Sequence, residues 1–346
     1  MNATIALYLA QDGIINGAIY ALLGVTLVLV FAVTRVIFVP QGEFVAWGAL
    51  TLAALDAGSV PGTAWLLVVM GIAATVLDTL RQSKTITLHA IGGMVVKDIA
   101  LPVLLLLAVQ AIAPGKPALW ISVLLTLALI IPMGPLVYRL AFQPLADATV
   151  LTLFIAAIGV HFALIGLGLV FFGAEGFRTT PFIAETFRVG VLAIKGQSLA
   201  VLGVTAMLLA GLYLFFERTM LGKALRATAV NRLGARLVGI PVRSTGRIAF
   251  ALAAAIGALS GMLIGSLTTI YYDSGFLIGL KGFVAAIAAG LASYPLTVMA
   301  ALGVGLLEAF SAFFASAFKE VIVFSIIIPL LIWRSLKAPH SDEEEE

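Results

Sequence analysis

An all-α, polytopic membrane fold follows from two properties of the chain's composition and one of its pattern. Of 346 residues, 62% are hydrophobic and 11% charged, against about half and about a quarter in ordinary soluble domains. The mean hydropathy is +1.15. The apolar surplus is gathered into long unbroken runs and does not alternate with polar residues. That pattern suits helices that satisfy their own backbone in lipid, and not the strands of an outer-membrane barrel. Together these properties exclude a soluble globular enzyme and a disordered chain. The 34 glycines favour close helix–helix approach. The chain has no cysteine, which excludes disulfides, thiolate metal sites and cysteine nucleophiles.

The apolar segments fall at 8–33, 43–57, 64–80, 100–113, 118–137, 150–172, 199–216, 248–270, 276–291, 296–314 and 320–333. A straight crossing takes about 20 residues. The segments at 43–57, 100–113, 276–291 and 320–333 are short for that, and read as broken, re-entrant or extended by their neighbours. The expectation is about 8 to 11 transmembrane or re-entrant helices in one domain over 1–346. The first Lys or Arg is Arg35, so no basic region precedes the first run, which reads as a retained helix and not a cleaved signal.

If every segment crosses, most Lys and Arg fall in 34–42, 81–99, 138–149, 217–247 and the C-terminal tail. The positive-inside rule then puts these in the cytoplasm. The loop 173–198 carries nearly cancelling charges (Glu175 and Glu185 against Arg178, Arg188 and Lys195) and turn and strand formers, which suggest a structured external cap. The loop 217–247 carries seven basic residues and one acid, Glu217. Within it 223–239 reads as one amphipathic helix opening at Lys223. Leu225, Ala229, Leu233 and Leu237 form one stripe, Arg226, Arg232 and Arg236 lie off it, and Gly239 and Pro241 end it. The stripe must rest on lipid headgroups or on a partner protein, and the residues alone leave both open. The tail 338–346 ends in Asp342 and four Glu and is expected to be solvated and disordered.

Several chemistries are missing. LGKA at 221–224 lacks the upstream Gly and the Ser/Thr of a P-loop, so if ATP drives this protein another chain binds it. GALSG at 257–261 places Ser in the wrong slot for a lipase-type elbow. His89, His161 and His340 have no metal spacing. No cofactor, metal or nucleic-acid partner is expected.

Small residues recur at helical spacing: Gly257, Gly261 and Gly265 on one helix, Gly13 and Gly17 on the first. Packing within the chain is the plainer reading, with a dimer seam or pathway lining as alternatives. Ionisable groups inside apolar runs are few. Asp12 and Asn16 share a face of the first helix, Glu43 opens its segment, His161 lies in mid-run and Glu308 sits deep in 296–314. Charges in lipid are costly, so these should face the bundle interior or a water-filled path. For Glu308 a gating role and a structural pair with Lys281 or Lys319 both stay open, whereas packing suits His161 better. No chain of carboxylates crosses the spans, which argues against a proton-coupled carrier.

Several stretches resemble the permeases of branched-chain amino-acid ABC transporters. VIFVPQGEF at 36–44, followed by AWGA at 46–49, resembles the family's N-F-A-H-G-E-F/x-x-x-G-A signature. Tyr138-Arg139 ahead of AAIG at 156–159 is similar to its Y-R-P…I-x-T/x-G region. LGKALRA at 221–227 through ARLVGI at 235–240 looks like its T-x-x-G-R-A-x-R-A…G-I loop. GLKGFVAAI at 279–287 with GLASYP at 290–295 resembles G-x-K-A-F-x-A-A…G-G-L-G-S-x-P, and Glu308 matches the acid of G-x-x-E. The resemblance covers roughly 14–57, 118–172 and 217–334. Gln41 departs from the usual His, Ala289-Gly290 replaces Gly-Gly, and 58–117 looks like an insertion.

The resemblance implies a bacterial inner-membrane permease subunit with a cytoplasmic C-terminus. A second permease subunit, identical or different, would complete the path beside membrane lipid. Two cytoplasmic ATPase subunits would drive it, and a periplasmic binding protein would deliver the solute. The loop 217–247 would carry the helix that docks on the ATPase, which moves its stripe from lipid towards a protein partner. Asp12, Asn16, Gln41, Gly42, Glu43, Lys281 and Glu308 are the path or gating candidates. Branched-chain amino acids are the default solute, with other amino acids, amides such as urea and small organic acids as alternatives. A stand-alone secondary transporter or channel is the competing function, and the order of the motifs argues against it.

Overall fold

The computed structural model describes residues 2–81, 88–189 and 192–337. The first helix, α1 (Ala3–Thr34), is followed by α2 (Gln41–Asp56) and α3 (Gly62–Arg81). Helix α4 (Leu88–Val95) runs through a π-helical turn at Val96–Ala100 into α5 (Leu101–Ile112). Next come α6 (Leu119–Val137), α7 (Val150–Phe172), the antiparallel hairpin β1 (Thr186–Val189) and β2 (Leu192–Lys195), and α8 (Gly196–Arg218). Two short helices, α9 (Met220–Val230) and α10 (Arg232–Leu237), precede α11 (Val242–Ile264). The chain closes with α12 (Ser274–Ala288), α13 (Tyr294–Phe314), α14 (Lys319–Ser325) and α15 (Ile327–Lys337). The expected acidic tail 338–346 lies outside the described residues.

Among the described residues eight helices are long and apolar enough to cross a membrane: Ala3–Thr34, Gly62–Arg81, Gly92–Gly115, Leu119–Leu145, Val150–Phe172, Gly196–Arg218, Val242–Ile264 and Tyr294–Phe314. The short apolar segment 100–113 is extended backwards by neighbouring residues into one of these. The segment 320–333 is broken between α14 and α15, where Pro329 opens the second helix and cannot continue the first.

Helix α1 is the mast. Its 32 residues span about 48 Å at 1.5 Å per residue, and its middle is almost wholly buried against α8, α11, α12 and α13. Glycine makes the closest of these contacts possible. A Cβ on Gly13 would meet the Leu306 backbone, and one on Gly17 that of Leu302.

The two short buried helices organise the centre. At the end of α1, Arg35 turns the chain in the left-handed conformation (φ 63°). The segment 36–40 then runs back into the bundle, burying Val36 and Phe38. Phe38 packs on Phe250 (ring centroids 4.7 Å apart) and on Phe44 and Phe142. Helix α2 therefore starts at depth, and the Gln41 amide donates to the Ala253 carbonyl midway along α11 at 3.0 Å. After α11 the chain turns back in the same way, and α12 begins beside the start of α2. There Gly42 meets Gly275 so closely that a Cβ on either would strike the other's carbonyl. From this crossing the helices leave in opposite directions. Asp56 at the end of α2 accepts a hydrogen bond from the Thr180 hydroxyl in the 173–198 loop at 2.8 Å. The end of α12 reaches Gly290 and Leu291, which share a cleft with Arg35. With 16 and 15 residues, neither helix reaches the length of about 20 needed to cross.

Among the described residues, 58–81 and 88–117 form α3, α4 and α5, of which α3 and α5 pack on α6. A buried ion triad ties them there: Arg139 lies 2.7 Å from Asp78 and 2.8 Å from Asp98.

Candidate functional site

A polar cavity of about 670 Å³ opens at the end of the bundle where α1 begins. It lies between α1, the 265–273 turn, α12, the α13–α14 junction and strand β2. Its wall carries three carboxylates, Asp12, Glu308 and Glu320, and three ammonium groups, Lys195, Lys281 and Lys319, so the formal charges cancel. Ile15, Ile264, Leu267, Ile270, Leu277 and Ile278 supply an aliphatic wall.

At the cavity's inner end Lys281 and Glu308 are both buried (5% and 7% exposed). The Lys281 ammonium lies 2.5 Å from one Glu308 oxygen and 3.2 Å from Glu320. The Tyr20 hydroxyl donates to the other Glu308 oxygen at 2.5 Å, and Lys281 sits 5.8 Å from the Tyr20 ring centroid, within cation–π reach. Buried charge is tolerated here because every strong group has an opposite partner. Among the described residues of the cavity wall, two buried acceptors have no hydrogen-bond partner, Gln11 Oε1 and Glu320 Oε2. Both residues line the cavity.

Of the path candidates, Asp12, Asn16, Lys281 and Glu308 come together in this wall. Gln41, Gly42 and Glu43 do not. They sit at the α2–α12 crossing, where fully buried Glu43 stands 3.0 Å from His161 Nδ1. His161 is thus the partner of an acid as well as a packing residue. Tyr20, Gln11 and Glu320 were not among the candidates. Tyr20 had a usable signal, since Asp12, Asn16 and Tyr20 follow at i, i+4 and i+8 on one face of α1.

The helix-packing glycines on α11 face the chain's own core. Gly257 lies on Phe44 and Gln41, and Gly261 fits against the Val45 carbonyl. Gly265, expected within the helix, is its C-cap, beside Thr179.

At the opposite end the basic loop differs from the single helix expected over 223–239. Asn231 is extended (φ −148°, ψ 103°), and its side chain accepts a hydrogen bond from the Gly234 N–H at 2.8 Å. Asn competes well for this capping geometry and poorly for a helix interior, so it closes α9 and opens α10. The stripe is split accordingly. Leu225 is fully buried and Ala229 partly buried, whereas Leu233 and Leu237 are 68% and 80% exposed. With Val230 and Val238 they leave an exposed apolar surface. Lys223 and Arg226 border its cleft, and Gly239 ends α10 with φ +83°. The arginines are held in place: Arg226 lies 2.9 Å from Glu217, Arg236 3.4 Å from Asp147, and Arg232 donates to the Ala146 carbonyl at 3.1 Å.

The permease protein BraD of the high-affinity branched-chain amino acid transport system of Pseudomonas aeruginosa is 29% identical over 208 residues, covering 58% of this chain and 68% of that protein. LivH of Escherichia coli K12, named for the same kind of system, is 27% identical over 201 residues, covering 56% of this chain and 65% of that protein. The chain thus spans about two thirds of the length of these relatives. Among solved structures, PsaBC from Streptococcus pneumoniae in complex with Fab aligns over 96% of this chain and 93% of that one, at a TM-score of 0.39 and 12% identity, below the level that establishes a common fold. A family model described as branched-chain amino acid transport system / permease component matches residues 9–331, and the chain belongs to that family.

Proposed function

We propose that this chain is the membrane-spanning subunit of an ATP-driven importer, and that it passes branched-chain or similar small amino acids through the polar cavity. The observation that carries this reading is the cavity's charge balance beside an aliphatic wall. An amino acid brings one ammonium, one carboxylate and an apolar side chain. The orphan acceptors on Gln11 and Glu320 suit the ammonium, Lys195 and Lys281 suit the carboxylate, and the isoleucine and leucine side chains suit a branched aliphatic group. A small organic acid would meet as many carboxylates as ammonium groups. The names of BraD and LivH point to the same solutes.

The energy source lies in other chains, since no nucleotide-binding motif is present in the sequence. The exposed surface of α9–α10 suits an ATPase subunit, with Leu233, Leu237 and Val238 as the apolar contact and the arginines around it orienting the partner. A second permease subunit, two ATPase subunits and a solute-binding protein complete the assembly. Purification of the chain with its genetic neighbours should bring these partners down together. A chain that purifies alone and still transports would contradict the assignment.

The positive-inside rule supports a cytoplasmic 217–247 and C-terminus and an external 173–198. The chain has no cysteine, so single substitutions report cleanly. Cysteine at exposed Ser244 should be shielded from an impermeant thiol reagent in intact cells, and cysteine at exposed Thr180 should react. The reverse pattern would invert the orientation.

One observation favours a second reading. Two short helices meeting start to start at depth are also how stand-alone secondary transporters build a site. That reading predicts uptake driven by an ion gradient without ATP.

A further inference from the structure

A second charged cavity, of about 780 Å³, lies at the end of the molecule that carries the basic loop. Arg81, Arg232, Arg236 and Arg243 line it, with Gln143 and Asp147. Three spanning helices stop or start at its rim: Gly62–Arg81, Leu119–Leu145 and Val242–Ile264. Its floor is therefore at the depth where apolar helix gives way to polar loop, which is the depth of lipid headgroups.

The positive charge there is poorly compensated. Asp78, which also faces the cavity, is committed to Arg139 at 2.7 Å. Asp147 reaches only Arg236, at 3.4 Å. Among the described residues no carboxylate lies within ion-pair distance of Arg81, Arg232 or Arg243. Arg232 is positioned by the Ala146 carbonyl, yet its Nε is buried without an acceptor. An unmet buried guanidinium N–H costs free energy, and a phosphate oxygen would satisfy it with a charge-assisted bond. Arginine is the side chain best matched to phosphate geometry.

We propose that this cavity binds a phosphate group, supplied by an anionic phospholipid headgroup. The bound phosphate would join the end of α3 (Arg81), the short helix α10 (Arg232 and Arg236) and the start of α11 (Arg243). It would thereby tie the 58–117 segment to the loop that carries α9 and α10. The inference goes beyond the importer reading, because it needs only the membrane placement of the helices.

The test is native mass spectrometry of the assembled transporter, released from vesicles of phosphatidylcholine with or without phosphatidylglycerol. The unmodified chain should retain phosphatidylglycerol, and the double variant Arg81→Gln/Arg243→Gln should lose most of it. Arg188→Gln, in the hairpin at the far end, should retain it and serves as the folding control. In a second arm, excess inorganic phosphate is added before release. Failure to displace the lipid supports the headgroup as the source, whereas displacement keeps the phosphate site and makes a soluble anion its source. Equal phosphatidylglycerol retention by the double variant and the unmodified chain, with no effect of phosphate, would overturn the proposal.

Discussion

Leu233→Asp is expected to release the ATPase and abolish uptake while the permease stays in the membrane. Leu233 is 68% exposed on α10, so the substitution disturbs nothing within the chain. In a docked interface the new carboxylate would be desolvated, at a cost of several kcal/mol if it stays ionised. A rim charge contributes about 1 kcal/mol or less. Arg226→Ala, at a half-exposed arginine bordering the α9–α10 cleft, should therefore weaken the complex less, and in a salt-dependent way. Leu225→Asp provides the contrast, because Leu225 is fully buried. It should reduce the amount of folded permease in the membrane, which Leu233→Asp should not. Co-purification at two salt concentrations, beside a blot of the membrane fraction, separates the cases. If the loop instead lies on lipid, Leu233→Asp changes insertion and leaves the ATPase bound, and that result would remove the docking assignment.

The second large effect concerns Glu308. Removing one partner of a buried ion pair typically costs about 3–5 kcal/mol, because the remaining charge is left uncompensated. Glu308→Leu strands Lys281, which keeps only Glu320 at 3.2 Å, and leaves the Tyr20 hydroxyl without its acceptor. Expression and thermal stability should fall with transport. Glu308→Gln keeps one acceptor oxygen for Lys281 and an NH2 from which the Tyr20 hydroxyl can accept, but loses the charge, so assembly should survive while transport is impaired. The double variant Lys281→Met/Glu308→Leu removes both charges and should recover stability without recovering uptake. Uptake by Glu308→Gln and Glu308→Leu at the normal rate would reduce the pair to scaffold.

The helical membrane fold was legible because the apolar runs are long and uninterrupted, and that property does not depend on tertiary contacts. The shortness of 43–57 and 276–291 was visible too, and these became α2 and α12. Their meeting was not, since it depends on how two distant glycines, Gly42 and Gly275, come together. Periodicity failed at Asn231. A four-residue stripe runs through it on paper, but the side chain caps α10 and divides the loop. Asp12, Asn16 and Glu308 stood out as polar groups in apolar runs, and Lys281 as a possible partner of Glu308; the structure brings the four into one cavity wall. Glu320 was missed because it opens its helix beside Lys319, where a charge attracts no notice. Gln41, Gly42 and Glu43 carry family-like motif positions, yet they lie at the helix crossing and not in the cavity wall.

On the proposed reading, this chain forms a solute path whose energy comes from a separate ATPase. That reading is tested most directly by loading proteoliposomes containing the complete assembly with ATP on the ATPase side and measuring accumulation of labelled leucine. Accumulation should need ATP, the ATPase subunits and the binding protein together, and should vanish when any one is omitted. Accumulation by this chain alone, driven by an imposed ion gradient without ATP, would contradict it.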